Sequence, residues 1–272
     1  MTFDDIILQH STRGMDILYR EHPSAYCEEA TQALLALDKG TVFLYTGFYV
    51  GGYAETDGPI GTYFLARALK QLGFRPIIVT DAYCEGYFKE CETLYLANEQ
   101  CHEAGCQAIL DEYDPVCHIS IERCGKNAEG LYANARKKDI GPYTVALDEL
   151  FKVGGKSRPT FAVGDGGNEI GMGNFKETIV QYLPLSPCVV TCDYPVIASV
   201  SNWGAYGLIA CLQKQTKELL LPSFEAVDAY LHHIVDLGSV DGIHVANVKS
   251  VDGKEWEIEQ EILAALSKAA QA

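Results

Sequence analysis

The residues with chemical potential in this chain gather in a few short segments. The decapeptide Gly164-Asp165-Gly166-Gly167-Asn168-Glu169-Ile170-Gly171-Met172-Gly173 combines five glycines with two acids and an amide. It follows a short apolar run at 160–163, so it reads as the loop at the carboxyl end of a strand, the edge at which open α/β sheets bind their ligands. Glycine at this density means that the backbone turns sharply or is approached closely. The plainer explanation is a tight turn whose Asp and Asn satisfy backbone amides and cap a helix. Such turns rarely need five glycines with two acids, which favours a binding loop. The loop has neither the Lys of a Walker sequence nor G-x-G-x-x-G spacing, so a nucleotide is poorly supported.

A second segment, Glu55-Thr56-Asp57-Gly58-Pro59, stands between a strand and a helix. Asp57 or Thr56 as a simple N-cap is the alternative here. If both strands belong to one parallel sheet, Glu55, Asp57, Asp165 and Glu169 converge on one rim. Carboxylates so close repel and raise one another's pKa. A hard divalent cation resolves that conflict, and all-oxygen ligands suit Mg²⁺ or Mn²⁺. A third segment, residues 121–136, carries Glu122, Arg123, Lys126, Asn127, Asn134 and Arg136, either an anion clamp or a solvated basic helix end. In the fourth, Ser201-Asn202-Trp203-Gly204-Ala205-Tyr206-Gly207, the small residues permit close packing at a helix start, and Trp203 is expected in the core.

Positioning these segments requires alternating strands and helices. Part of the opening segment has amphipathic helical spacing, and 25–37 reads as a helix with Ser24 as N-cap and Gly40 as its stop. A strand at 41–46, a loop at 47–58, a helix begun by Pro59 and ended at Gly73, and a strand at 76–81 make a βαβ unit. Further on, 83–104 is expected as helix, 116–122 and 160–163 as strands, 169–183 as helix and 188–192 as strand. Helices follow at 203–220, 224–237 and 255–270. The expected fold is α/β, with a mostly parallel central sheet covered by helices on both faces in a three-layer, Rossmann-like arrangement. Residues 1–272 are read as a single domain, with 123–160 a possible inserted cap.

Composition narrows the partners. The chain has 272 residues, 37 acidic against 21 basic, and a formal net charge of -16. An average surface of that sign repels a phosphate backbone, so nucleic acid is not expected. A small anionic substrate needs local positive charge. No apolar run approaches the length of a membrane span, and the first residues lack a basic stretch followed by an apolar one. The ten cysteines include no C-x-x-C pair and are expected to be reduced core thiols. No H-E-x-x-H or G-x-S-x-G motif is present. The expectation is a cytoplasmic protein without a membrane partner, with a homo-oligomer left open.

Together the four segments resemble the D-glutamate cyclase family, specifically its C-terminal domain, from about residue 46 to the end of the chain. The glycine-rich decapeptide is the most specific part. Ile60 departs from the family, which often has a second Pro there, and in longer members the domain follows a hydro-lyase-like one. The resemblance implies a lyase that converts D-glutamate to 5-oxo-D-proline and water without ATP. Such chemistry needs a base for the α-amino group, a cation or donor set for the γ-carboxylate, and a pose that brings N to Cδ. In this expectation Glu55, Asp57, Asp165 and Glu169 bind the metal, Arg123 and Arg136 hold the α-carboxylate, and Glu122 or Glu169 serves as base, with Asp165 also among the catalytic acids. Asn127, Asn134, Gly166, Gly167, Asn168 and Asn202 are the further candidate substrate contacts. A metal-dependent phosphatase acting on a small phosphoester and a non-catalytic module for an acidic metabolite are the alternatives.

Overall fold

A computed structural model describes residues 1–272. Its centre is a six-stranded parallel sheet of β1 (Thr41–Tyr45), β4 (Arg75–Thr80), β5 (Glu92–Tyr95), β6 (Pro115–Ile121), β7 (Thr160–Gly164) and β8 (Tyr194–Ile197), in the order β5-β4-β1-β6-β7-β8. A separate antiparallel hairpin, β2 (Tyr49–Val50) with β3 (Tyr53–Ala54), rises from the loop after β1. Alternation along β1 shows why both faces are covered. Val42 and Leu44 enter the larger core, with α1 (Phe3–Ile7), α3 (Tyr26–Leu35), α4 (Pro59–Gln71), α8 (Ser201–Thr216), α9 (Phe224–Asp236) and α10 (Trp256–Gln271). Phe43 and Tyr45 enter the smaller core, with α5 (Glu103–Tyr113) and α6 (Leu147–Gly154). Side chains two apart share a face, so an all-apolar strand serves a doubly covered sheet. The result is a three-layer α/β fold.

The strand order also fixes where a site can form. From β1 the chain steps outward through β4 to β5, then returns to β6 on the other side of β1 and proceeds to β7 and β8. The connections leave β1 and β6 in opposite directions, which opens a crevice at their carboxyl ends. The loops after β1, β6, β7 and β8 all emerge at that edge.

Several elements differ from the sequence expectations. The helix expected over 83–104 is a 3-10 turn (Ala82–Cys84), the edge strand β5 and a second turn (Asn98–Gln100), with helix only from Glu103. Gly86, at φ 81°, breaks the run, and β5 is too exposed to show an apolar signature. Residues 188–192 form no ladder strand. Val190 O accepts the amides of Gly171 and Gly173, so the segment is paired with the glycine-rich loop, and β8 follows it. Pro195 is tolerated in β8 because that strand is at the sheet edge. The helix expected at 169–183 is a 3-10 turn (Met172–Phe175) and the short α7 (Lys176–Tyr182). The opening segment is split between α1 and α2 (Met15–Glu21) by Gly14 at φ 84°. Ser24 does not cap α3, because its hydroxyl donates to the Glu29 carboxylate and Ala25 holds the cap position. Within 123–160, α6 packs into the smaller core, while Cys124, Tyr132 and Ile140 cluster with Phe48 beside the loop after β1. All ten cysteines are free thiols, nine of them buried.

Candidate active site

The loops after β1, β6 and β7 bring Asp57, Glu122 and Asp165 together, with one oxygen of each within 4.8 Å of the others. All three are buried. The start of α8 holds two of them. Asp57 Oδ2 accepts the Ser201 amide at 2.9 Å and Oδ1 accepts those of Asn202 at 2.7 Å and Gly58 at 2.9 Å. Asp165 Oδ2 accepts the Ser201 amide at 3.2 Å. Free amides at the positive end of a sixteen-residue helix suit buried carboxylates. The Ser201 hydroxyl donates to Glu122 Oε2 at 2.6 Å. Glu122 itself stands at φ 49°, a left-handed conformation rare outside glycine. A Cβ on Gly58, at φ 91°, would meet the Glu122 Cβ at 2.7 Å, so the loop after β1 closes over Glu122 only with glycine there.

More carboxylates surround these three. Glu55 is buried with neither oxygen hydrogen-bonded, and Asp252 lies on the loop before α10. Burial first, and the neighbouring acids second, push Glu55 and Glu122 well above the usual carboxylate range. Burial also raises Asp165, against the opposing pull of Arg13. Asp57 is pushed up to about 7 by burial and by the charge of Asp252, while the amides that it accepts lower it. The cation inside the cluster is Arg13, whose Nη2 donates to both Asp165 and Asp252. Asp165 Oδ1 is buried without a partner.

A cavity of about 240 Å³ opens onto this group. Its floor carries Glu55, Glu122, Glu169 and Asp252, and Arg136 and Lys138 stand exposed at its mouth. The β2–β3 hairpin contributes Val50, and the loop after α9 contributes Ile243 and Val245.

Other expected site residues are placed differently. Glu169 lines the cavity, yet its Oε1 accepts the Gly166 amide at 2.9 Å and its Oε2 the Gly167 amide at 2.7 Å. Those bonds remove Glu169 from the three-acid group and use the two amides that were expected to face a substrate. Glu122 takes its place. Arg123 is no substrate clamp. It is buried and bonded to Asp81 Oδ2 at 2.6 Å, Gly47 O at 2.5 Å and Val145 O at 2.7 Å, tying three loops together. Asn202 is also internal: its Oδ1 accepts the amides of Gly58 and Gly61, and its Nδ2 donates to Thr56 O. Asn127 shapes a turn by accepting the amides of Glu129 and Leu131, away from the cavity. Asn134 also closes a turn, through the amides of Arg136 and Lys138, and lines the cavity. Asn168 lines it too and donates to Ala133 O at 2.9 Å. Trp203 is buried, with Nε1 on Glu259 Oε2. Sequence reasoning missed Arg13, Lys138 and Asp252. The signals were Gly14 after Arg13, the Asp-Gly turn at 252–253, and the Lys137-Lys138 pair in an acidic chain.

Fold and site define a parallel α/β protein with an acid-lined cavity at the carboxyl edge of its sheet. Residues 4–267 match the family described as D-glutamate cyclase-like, C-terminal, and the chain belongs to that family. The mitochondrial D-glutamate cyclase of Homo sapiens is 34% identical over 183 residues, which are 58% of this chain and 29% of that protein. The chain thus spans under a third of its curated relative. Among solved structures, the epimerase Mth375 of Methanothermobacter thermautotrophicus is similar at 12% identity and a TM-score of 0.33, over 72% of this chain and 53% of that one. The ligand-free aldohexose dehydrogenase of Thermoplasma acidophilum is similar at 13% identity and a TM-score of 0.30, over 85% and 87%. No helix is long and apolar enough to cross a membrane.

Proposed function

We propose that the chain is a D-glutamate cyclase-type lyase that closes D-glutamate to 5-oxo-D-proline with loss of water, assisted by Mg²⁺ or Mn²⁺. The observation that carries this reading is the meeting of Asp57, Glu122 and Asp165, with Glu122 facing a cavity that Arg136 and Lys138 also line, in a chain of this family. The donor set fits a hard cation. Three carboxylates lie within reach of one another, Asp165 Oδ1 is buried without a partner, and one guanidinium leaves the group in excess negative charge. Asp57, Glu122 and Asp165 would hold the ion, and bound there it supplies Lewis-acid polarisation of the γ-carboxyl group.

The remaining residues orient the substrate and move its proton. Arg136 and Lys138 at the mouth receive the α-carboxylate. Glu55 serves as base in place of Glu122 or Glu169, since both its oxygens are free and its environment raises its proton affinity. It takes a proton from the α-ammonium and the freed amine attacks Cδ; as the C–N bond forms and the C–O bond breaks, the departing oxygen receives that proton back from Glu55 and a second one from the attacking nitrogen, and leaves as water. Holding N against Cδ in a small enclosed cavity lowers the entropic part of the barrier. Turnover of D-glutamate followed by NMR, with Mn²⁺ and with EDTA, tests the proposal. Chelation and Asp165→Asn are each expected to abolish 5-oxo-D-proline formation. Unchanged turnover after either defeats the metal role, and no turnover of D-glutamate by the metal-loaded protein defeats the lyase assignment.

A further inference from the structure

The geometry points to Arg13 as the residue that receives the γ-carboxylate of the substrate, an assignment that rests on the cavity being the lyase site proposed above. Arg13 lies on the turn between α1 and α2, far in sequence from every other site segment. Its Nη2 alone is engaged, by Asp165 and Asp252, which fix the plane of the guanidinium from two separate loops. Nε and Nη1 have no hydrogen-bond partner, and neither is among the unpartnered polar atoms sealed from solvent. Arg13 lines the cavity, so these two free nitrogens are open to a ligand. With Nη2 taken by two acids, Nε and Nη1 stand on different sides of the guanidinium as separate donors, and either can give a substrate carboxylate one charge-assisted hydrogen bond.

The surrounding charges give Arg13 a selective role. Among so many acids, a substrate carboxylate would be repelled unless it met a cation on arrival. Arg13 shares the cavity with Glu122, a member of the three-acid group, so a carboxylate bonded to Arg13 there is within the same small space as that group. Arg136 and Lys138 supply a second cationic pole at the mouth, where Arg136 is steadied by Ile243 O at 3.0 Å. Glu55, with both oxygens free, offers the same cavity an acceptor for an ammonium. Two cationic poles and an anionic one match an α-amino dicarboxylate. A monocarboxylate leaves one pole unused. Asp252 is the positioning residue, since without it the guanidinium loses one of its two anchors.

The test is calorimetric titration of the Mn²⁺-loaded protein with glutarate, a dicarboxylate that cannot cyclise, and with butyrate, in wild type, Arg13→Lys, Arg13→Gln and Asp252→Asn. Arg13→Lys keeps the charge and with it the fold, but its single ammonium nitrogen, held by Asp165 and Asp252, has no separate nitrogen to offer a substrate. Both Arg13 variants are expected to weaken glutarate at least tenfold while leaving butyrate within twofold, and Asp252→Asn to weaken glutarate by a smaller factor. Mn²⁺ affinity, titrated separately, is expected to be kept or increased in Arg13→Gln, which a merely structural arginine would not give. Glutarate affinity within twofold of wild type in Arg13→Lys and Arg13→Gln overturns the assignment. Arg13-dependent glutarate binding without turnover of D-glutamate overturns the lyase reading and supports the carboxylate role of Arg13.

Discussion

Glu259 on α10 lies outside the cavity, yet it is buried beneath the helix whose first amides hold Asp57 and Asp165. Trp203 Nε1 donates to its Oε2 at 2.5 Å, while its Oε1 and the neighbouring Tyr206 hydroxyl make no hydrogen bond. Burial pushes Glu259 from 4.5 up to about 7, against the opposing effect of the Trp203 bond. An acid whose pKa is higher in the folded state contributes stability that is complete below its unfolded pKa and is lost as pH rises through its folded one. For Glu259 that window runs from 4.5 to about 7. The difference between the two pKa values corresponds to about 3 kcal/mol at pH 8 and less than about 1 kcal/mol at pH 5. Glu259→Gln keeps the acceptor for Trp203, removes the charge and offers an N–H₂ toward Tyr206. It should therefore stabilise the protein by about 2–3 kcal/mol more at pH 8 than at pH 5, a difference of roughly 5–8 °C in Tm. Thermal unfolding of both proteins by circular dichroism at the two pH values measures this. An equal change in Tm at both, or a loss at pH 8, refutes the reasoning.

Three further outcomes follow from the site. Glu55→Gln should lower kcat on D-glutamate by about 10²–10⁴-fold while leaving the Mn²⁺-induced rise in Tm intact, and loss of both together would mean that Glu55 is a ligand and not the base. Mn²⁺ at a hundred times its Kd should stabilise the wild type by about 2.7 kcal/mol and Asp165→Asn by far less, read as a thermal shift. Gly171→Ala should cost at least about 3 kcal/mol in urea unfolding, because Gly171 stands at φ 94° with the Ala162 Cβ 2.2 Å from any Cβ placed there. A Gly171→Ala protein as stable as wild type would show that the loop relaxes freely.

How much was legible in the sequence depends on the range over which each residue acts. The alternation of strands and helices could be read because apolar runs such as 41–46 must be buried on both faces, and the acidic loops after β1 and β7 could be placed at one edge once the sheet was parallel. The fate of individual side chains at that edge could not. Glu122 and Arg123 are neighbours at the end of β6, yet one enters the acid cluster and the other runs to Asp81 and Gly47. Glu169 carries an acid at the right edge, but its spacing from Gly166 and Gly167 lets it fold back on the amides of its own loop. Arg13 and Asp252 come from irregular segments near opposite ends of the chain, where no periodicity marks a side chain as internal. The 188–192 run was apolar enough for a strand, but its backbone groups are used by the glycine-rich loop.

The cluster is held together unevenly, and that unevenness bears on function. Asp57 accepts three amides, and Glu169 accepts two from its own loop, so their charges are compensated inside the protein. Glu55, one oxygen of Glu122 and Oδ1 of Asp165 have no such partners, and Arg13 is shared between Asp165 and Asp252. Two of these three acids, Glu55 and Glu122, line the cavity, where a divalent ion and the ammonium of a substrate would arrive. Whatever cation binds there relieves a repulsion that the fold leaves in place, so its binding free energy must also appear as folding stability.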